Sequence, residues 1–204
     1  MLNHNIIEPA ASPWASNVLL VRKSNDQLRF CVDYRSLNSV TYKDSYPLPR
    51  IDTCLDSLQN SKIFSSHDLR SGYWQAEIEP TSADKTAFVT RCGTFRFKVL
   101  SFGLTDVPAL FQRLMDLVLT GLAWEVCLVY LDDIIVLADT FEHHMARLEL
   151  VFGRLRSAGL KLNPSKCRFF QLKTKFLGHV VSGQGIEPDE DKVRAVRDWP
   201  IPKN

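Results

Sequence analysis

Apolar residues recur at two periods along the chain, and the helical period is clearest in its second half. In residues 108–122 apolar side chains return every three or four positions until Gly121, which predicts an amphipathic helix. The same spacing predicts a helix over residues 141–160 that ends near Gly159. Shorter helices are predicted over residues 51–58 and 188–199.

Runs of β-branched and aromatic residues between turn signals predict strands. They lie at residues 17–22 and 28–34, 63–69, 88–99 around Gly93, and 176–181 with 185–186. Most of them read as hairpins, and hairpins and helices do not alternate strictly. The order therefore favours an α+β fold, an antiparallel sheet backed by two helices, over a doubly wound α/β sheet.

Residues 126–138 form the most unusual segment, two apolar strands joined at Asp132 and Asp133 without Gly, Pro or Asn between them. Two ionised carboxylates beside a buried sheet repel each other and lose hydration, which costs several kcal/mol without compensation. A divalent cation is the simplest compensation. The alternative is a solvent-exposed hairpin turn with two aspartates at its tip.

A third carboxylate from a neighbouring strand would complete such a site, and Asp68 is the best candidate. It ends a predicted strand and precedes Ser71 and Gly72, whose backbone N–H groups are suited to phosphates. The alternative is a turn-initiating or helix-capping aspartate. Oxygen ligands favour Mg²⁺ or Mn²⁺, and two such ions roughly 3.5–4 Å apart are typical of phosphoryl transfer. The spacing therefore indicates that reaction class.

Composition and charge exclude several classes of protein. With 45% hydrophobic and 24% charged residues in 204, the chain is not disordered. Its longest apolar run is split by the two aspartates and its start lacks signal-peptide features, so we expect no membrane span and no secretion. Five scattered cysteines predict unpaired thiols in a reducing compartment.

Net charge is only +2, but its distribution is uneven. Residues 153–175 carry seven Lys or Arg and no Asp or Glu, which indicates either a solvated face or a phosphate-binding surface. Glu142, His143 and His144 form a possible metal cluster, but adjacent helical side chains point about 100° apart. We expect them at a solvated helix N-terminus instead.

Seven ordered blocks give the chain a specific resemblance. It resembles the reverse transcriptase domain of gypsy-type LTR retrotransposons over nearly its whole length, and retroviral reverse transcriptases more distantly. The blocks lie at residues 12–16, 29–38, 46–52, 68–73, 102–105, 130–133 and 176–179.

The resemblance implies a right-hand polymerase, an α+β fold whose antiparallel palm sheet is backed by helices. Its implied regions are fingers at 1–62 and 80–103, palm at 63–79 and 104–185 including the primer grip, and the start of a truncated thumb at 186–204. It implies an RNA-directed DNA polymerase that uses two Mg²⁺ ions, with Mn²⁺ as an alternative. The lack of a complete thumb predicts poor processivity.

The resemblance also implies the roles of individual residues. Asp68, Asp132 and Asp133 match the catalytic, metal-binding carboxylates, and Tyr73 matches the steric gate that excludes a 2′-hydroxyl. The other residues matched to the deoxynucleotide are Arg22, Lys23, Arg29, Ser71, Gly72, Phe102 and Lys166. Those matched to the template and primer are Gln112, Tyr130, Phe176, Leu177, Gly178 and His179.

The implied partners are a primed RNA or DNA template, deoxynucleoside triphosphates and the rest of a Pol polyprotein with RNase H and integrase. The implied location is a cytoplasmic virus-like particle or the nucleus. The alternative is a catalytically inert, truncated remnant that only binds nucleic acid; an RNA-dependent RNA polymerase is disfavoured by Tyr73. Asp106 and His67 depart from the family pattern, and Asp106 places a negative charge where it is expected to repel phosphates.

Overall fold

The computed structural model describes residues 1–22, 26, 28–59 and 61–199 and divides into two compact units. The first unit comprises Met1–Pro47 and Ser71–Leu114, and the second comprises Leu48–Arg70 and Met115–Asn204. The predicted division into fingers, palm and thumb has different boundaries. Residues 48–62, for example, belong to the second unit and residues 104–114 to the first.

The first unit is built from two small antiparallel sheets. Its strands are β1 (Ile7–Pro9), β2 (Asn17–Arg22), β3 (Leu28–Asp33), β5 (Phe88–Thr90) and β6 (Gly93–Phe97), which form the sheet β1-β6-β5 and the hairpin β2-β3. Its helices are α1 (Arg35–Val40), α3 (Pro80–Ala83) and most of α4 (Val107–Val118). Its core contains Ile7, Val32, Tyr34, Phe88, Phe97 and Val99.

The second unit contains the larger sheet and the remaining helices. Its strands are β4 (Ile63–Asp68), β7 (Cys127–Tyr130), β8 (Asp133–Ala138), β9 (Arg168–Gln171), β10 (Lys173–Phe176), β11 (His179–Ser182) and β12 (Gly185–Pro188). They form the antiparallel sheets β7-β8-β4-β9 and β10-β11-β12. Its helices are α2 (Ile51–Asp56), α5 (Phe141–Ser157) and α6 (Glu190–Arg197).

Burial explains why the central strands of this unit are apolar on consecutive positions. Residues 134–138 of β8 are all buried because both faces of the strand are covered. Helix α5 packs against the strand, and Ile135 and Leu137 lie in a core cluster with residues of α2 and β10. Thr140 begins α5 by accepting a hydrogen bond from the backbone N–H of His143. None of the helices in the described ranges is long and apolar enough to cross a bilayer.

The α+β prediction is confirmed, as are the hairpin of β2 and β3 and the helices α4 and α5. The predicted hairpin of residues 176–181 with 185–186 is confirmed by the pairing of β11 with β12. The predicted start of its first strand at residue 176 is wrong, because the chain reverses at Leu177 and Gly178. Both residues adopt positive φ, +48° and +79°. The sequence pattern also missed β1, α1 and β9, which are short and lack clear periodicity.

The predicted solvated position of His144 is wrong as well. His144 is fully buried, and its Nε2 lies 2.7 Å from the hydroxyl of Ser65 on β4. His143 is exposed and contacts Asp139, as expected for the first turn of α5. The adjacent histidines therefore occupy opposite environments, one in the sheet–helix interface and one in solvent.

Candidate active site

Strand register brings two of the three predicted carboxylates together. Asp68 at the end of β4 is paired directly with Asp133 at the start of β8. Residues opposite each other in an antiparallel pair project from the same face of the sheet. Asp132 lies in the preceding two-residue turn, which is closed by the pairing of Tyr130 with Asp133. The juxtaposition predicted from sequence is therefore present in the second unit.

The turn that carries Asp132 has an unusual backbone. Leu131 adopts a φ of +56°, a conformation that costs a bulky L-residue about 1–2 kcal/mol. Glycine, the residue best suited to this conformation, is absent from the turn. The paired strands β7 and β8, with their buried apolar side chains, hold the turn in place.

The electrostatics of the site show that its carboxylates interact. The Asp133 side chain keeps access to solvent, yet the protein around its carboxyl group raises its pKa to about 6. Desolvation is the main cause, followed by the negative charges of Asp132 and then Asp68, while Lys166 opposes the shift. The site therefore concentrates negative charge in the way a cation-binding site does.

Lys166 is placed at this site by a short stretch of chain that runs alongside the end of β4. The backbone N–H of Arg70 donates to Lys161 O at 2.9 Å, and that of Asn163 donates to Asp68 O at 2.8 Å. A single helical turn over Pro164–Lys166 follows. It brings the Lys166 ammonium to 2.9 Å from Asp68 Oδ2. Lys166, which is predicted to bind the triphosphate, therefore lies beside Asp68, a predicted metal ligand.

A cleft of about 260 Å³ opens beside the carboxylates within the second unit. One wall carries Asp68, Asp133 and Lys166. The cleft is also lined by Lys175 and three residues of the predicted primer grip, Phe176, Leu177 and Gly178. His179, the fourth, directs its Nδ1 at Leu177 O, 3.2 Å away.

The donor set fits a hard divalent cation in chemistry and charge, because it offers only carboxylate oxygens. The carboxylate oxygens do not already form a complete metal site. Across the described ranges, no three His, Cys, Asp or Glu side chains lie close enough together to hold a metal ion as they stand. One oxygen of Asp68 is in addition paired with the Lys166 ammonium.

The first unit brings a second pair of predicted residues together. The rings of Tyr73 and Phe102 lie 4.9 Å apart, and Tyr73 also packs edge-on against the buried Phe111 at 5.1 Å. Phe102 is 47% exposed, so this aromatic pair presents a surface to solvent. Ser71 has a φ of +53° and begins the short helical turn that carries Gly72 and Tyr73. The chain thus forms a small aromatic platform next to a strained turn.

The other residues predicted to bind nucleotide or template give a mixed outcome. Arg22 and Arg29 lie at the end of the hairpin where β2 leads into β3, as predicted, and both are exposed. Lys23 lies outside the described residues. Gln112 is fully buried, so the predicted contact of its side chain with a template is not supported.

Asp106 accepts a hydrogen bond that the sequence did not suggest. Its Oδ1 accepts the backbone N–H of Asp44 at 3.1 Å, and Asp44 in turn pairs with Arg113 of α4 at 2.9 Å. The carboxylate therefore helps to fasten the segment before residue 47 to the start of α4. Its expected repulsion of phosphates stays a prediction.

Sequence reasoning also missed residues at the site. Lys175 was noted only as part of a basic stretch, whereas it lines the cleft and pairs with Asp189 and Asp191. His67, which also lines the cleft, is buried with both ring nitrogens lacking a hydrogen-bond partner. The departure of His67 from the family pattern, directly before Asp68, was the available signal.

Asp133→Asn is expected to stabilise the metal-free protein at pH 7 and to have little effect at pH 4. A carboxyl whose pKa is raised on folding favours the folded state below its unfolded pKa, and that stability is lost as pH rises through 6. Because solvent screens the exposed group, we expect a gain of about 1 kcal/mol. Urea unfolding in EDTA at both pH values measures it, and an equal gain at pH 4 would contradict the electrostatic cause.

Comparison with known proteins gives the family context of this geometry. The model of the reverse transcriptase (RNA-dependent DNA polymerase) family matches residues 21–181. The Pol polyprotein of transposon 297 of Drosophila melanogaster is 40% identical over 207 residues, which is 99% of this chain and 20% of that protein. The polyprotein of the Drosophila transposon gypsy is 34% identical, with 99% and 20% covered. The chain thus spans about a fifth of the length of these relatives.

Solved structures share the fold. A foamy viral protease-reverse transcriptase in complex with double-stranded DNA superposes with a TM-score of 0.92 and 24% identity, over 99% of this chain and 35% of that one. The native prototype foamy virus protease-reverse transcriptase gives 0.79 and 27%, over 89% and 24%. Together with the paired carboxylates of β4 and β8, the family match over residues 21–181 shows that this chain belongs to the reverse transcriptase family.

Proposed function

We propose that this chain is an RNA-directed DNA polymerase domain that adds deoxynucleotides to the 3′-hydroxyl of a primer. The observation that carries the proposal is the pairing of Asp68 with Asp133 beside the turn of Asp132, at the mouth of a cleft. Three carboxylates on neighbouring strand ends are the donor set that two-metal phosphoryl transfer requires.

Asp68 and Asp132, with Asp133 beside them, would hold two Mg²⁺ ions, or Mn²⁺ in their place. Such ions, when bound, lower the pKa of an attacking hydroxyl and neutralise charge on the phosphates. The Lys166 ammonium contacts only Oδ2 of Asp68, so it would share this carboxylate with a bound cation or compete with it. The ammonium is close enough to the site to balance charge on the triphosphate or the leaving pyrophosphate.

Residues of the cleft, together with residues elsewhere in the chain, are proposed to orient the substrates. Phe176, Leu177 and Gly178 form the wall against which the end of the primer is proposed to rest. Arg22 and Arg29 are proposed to hold the triphosphate, and the seven basic residues between 153 and 175 to face nucleic-acid phosphates. Ser71 and Gly72 add backbone N–H donors to the triphosphate, and Tyr130 touches the nucleic acid.

Tyr73→Ala is expected to weaken the preference for deoxynucleotides by at least about tenfold, because the ring that excludes a 2′-hydroxyl is removed. Single-nucleotide insertion with dATP and ATP on the same primed template measures the ratio of kcat/KM. Tyr42→Ala is the control in the same unit, since Tyr42 is fully exposed. An unchanged ratio in Tyr73→Ala would remove Tyr73 from sugar selection.

The experiment that tests the proposed function is extension of a labelled DNA primer by one nucleotide on an RNA template. We expect extension with Mg²⁺ and none with excess EDTA, while primer-template binding, followed by a mobility shift, persists in both. Binding without extension, with Mg²⁺ and with Mn²⁺ alike, would favour the alternative, an inert remnant that only binds nucleic acid.

The context of the domain is proposed from its relatives, which are named as Pol polyproteins. We infer that the chain acts as part of a longer polyprotein, together with RNase H and integrase. Synthesis would then take place in a cytoplasmic virus-like particle or in the nucleus. Release of the domain from a precursor is checked by immunoblotting with an antibody against residues 141–157.

A further inference from the structure

Asp189 lies between β12 and α6 and contacts the chain at three points. Its Oδ1 accepts hydrogen bonds from the Lys175 ammonium at 2.9 Å and from the backbone N–H of Asp191 at 3.1 Å. Its own backbone N–H donates to Gly178 O at 3.3 Å. The residue is only 8% exposed, which is rare for an aspartate. This one residue therefore links β10, the turn at residues 177–178 and the start of α6.

The turn that Asp189 contacts contains a residue poorly suited to the backbone conformation of the turn. Phe176 pairs with His179, so Leu177 and Gly178 form a two-residue hairpin turn with φ of +48° and +79°. Glycine accepts this conformation, whereas leucine is disfavoured in it. Contacts from elsewhere must hold such a turn in one geometry.

The start of α6 supplies those contacts from behind the turn. In addition to the hydrogen bond from Asp189 to Gly178, the side chain of Lys192 lies over Gly178. A β-carbon placed on that glycine would come within 3.2 Å of Lys192 Cε. The backbone N–H of Lys192 donates to the main-chain oxygen of Asp189 at 2.9 Å, and the side chain of Asp189 accepts the N–H of Asp191, so the first turn of the helix begins on this residue.

The opposite side of the same turn faces the catalytic carboxylates. Leu177 and Gly178 line the cleft that contains Asp68 and Asp133, and Lys175 lines it as well. Asp189 is not among the lining residues, so it acts on the cleft only through Lys175 and the turn. A shift of the turn would change the distance between any group resting on it and the carboxylates.

We propose that Asp189 is a positioning residue that holds the turn at residues 177–178, and Lys175 beside it, at a set distance from the catalytic carboxylates. This inference rests on the proposed polymerase function, because the group positioned is the primer 3′ end. A misplacement of about 1 Å at a reacting atom lowers the rate on the order of a hundredfold. The effect of losing Asp189 should thus fall on the chemical step.

The test compares Asp189→Ala, Asp189→Asn and the control Glu187→Gln in a pre-steady-state burst of incorporation. Asparagine retains an acceptor for the N–H of Asp191 but loses the charge opposite Lys175, whereas alanine loses both. Glu187 lies on β12, the strand directly before Asp189, and forms an exposed ion pair with Lys173. Burst amplitude counts the folded enzyme bound to primer, and the burst rate constant reports the chemical step.

We expect Asp189→Ala to lower the burst rate constant on the order of ten- to a hundredfold at unchanged amplitude. Asp189→Asn should recover part of the rate, and Glu187→Gln should match the wild type. Loss of amplitude at an unchanged rate constant would overturn the proposal, since Asp189 would then only stabilise the fold. A wild-type rate constant in Asp189→Ala would overturn it as well.

Amide hydrogen exchange of the same proteins tests the positioning without any activity. In Asp189→Ala we expect the amides of residues 177–180 to exchange at least about tenfold faster, while those of residues 134–137 keep their protection. Equal exchange in the turn would overturn the proposal even if catalysis changed. If the wild type extends no primer, the polymerase proposal fails on that result, and the exchange data alone decide whether Asp189 holds the turn.

Discussion

Asp132→Asn is expected to lower single-nucleotide incorporation by at least about a thousandfold while primer-template binding persists. Asparagine has nearly the same shape as aspartate but carries no charge, so it removes one ligand from the proposed metal site. Asp68→Asn should have an effect of similar size, because Asp68 is paired directly with Asp133 across the sheet. Rapid-quench extension of a labelled primer on an RNA template measures both variants.

The chain provides a matched control at the other end of the same strand. Asp139 follows β8 directly, is exposed and contacts only His143 among the ion pairs of the described residues. Asp139→Asn should therefore extend primers at the wild-type rate. More than a tenth of wild-type activity in Asp132→Asn would remove Asp132 from the metal site, and a comparable loss in Asp139→Asn would indicate a general effect on the fold.

His67→Phe is expected to make the protein more resistant to acid. His67 is 2% exposed, and its ring contacts Phe152 and Phe169 at 5.2 and 5.0 Å. Burial, with a smaller contribution from His144, lowers its pKa to about 4. A histidine whose pKa is lowered on folding opposes protonation of the folded state, so stability falls as pH drops from 6.5 towards 4. Phenylalanine does not titrate and also suits the aromatic surroundings.

The size of the expected effect on stability follows from the shift in the pKa of His67. A fall of the pKa from 6.5 to about 4 corresponds to about 3 kcal/mol of stability lost between pH 7 and pH 4. The difference in free energy of unfolding between His67→Phe and wild type should grow by up to that amount over this range. Urea titrations at pH 7, 5.5 and 4.5 measure it. His143→Phe, at an exposed histidine of the same unit, is measured alongside for comparison, and a constant difference for His67→Phe would contradict the assignment.

The candidate site was predictable because its signals are local. The pair Asp132 and Asp133 interrupts an apolar run, and Asp68 ends another, so both positions read as strand ends. Strand ends of an antiparallel sheet meet only in certain registers, and the sequence pointed to β4 as the neighbour without showing the pairing. The structure supplies the register, with Asp68 opposite Asp133.

Contacts between distant segments explain what the sequence could not show. His144 lies in a polar segment typical of a solvated helix start, yet it is buried and contacts Ser65 of β4, 79 residues away. Asp106 looked like a misplaced charge, and its partner is the backbone of Asp44. Gln112 is polar, and still the structure buries it completely. No local pattern carries these outcomes, because each depends on which elements pack together.

Hydrophobic period, turn chemistry and charge suffice for the α+β class, the strand-end carboxylates and the reaction class, since each of these follows from short local patterns and their order along the chain. Tertiary structure alone decides the approach of Lys166 to Asp68, the cleft between the carboxylates and the turn at residues 177–178, and the place of Asp189 behind that turn. Those features join residues up to 98 positions apart. They arise from long-range packing, in which register and burial are chosen by the whole core rather than by any local stretch of sequence.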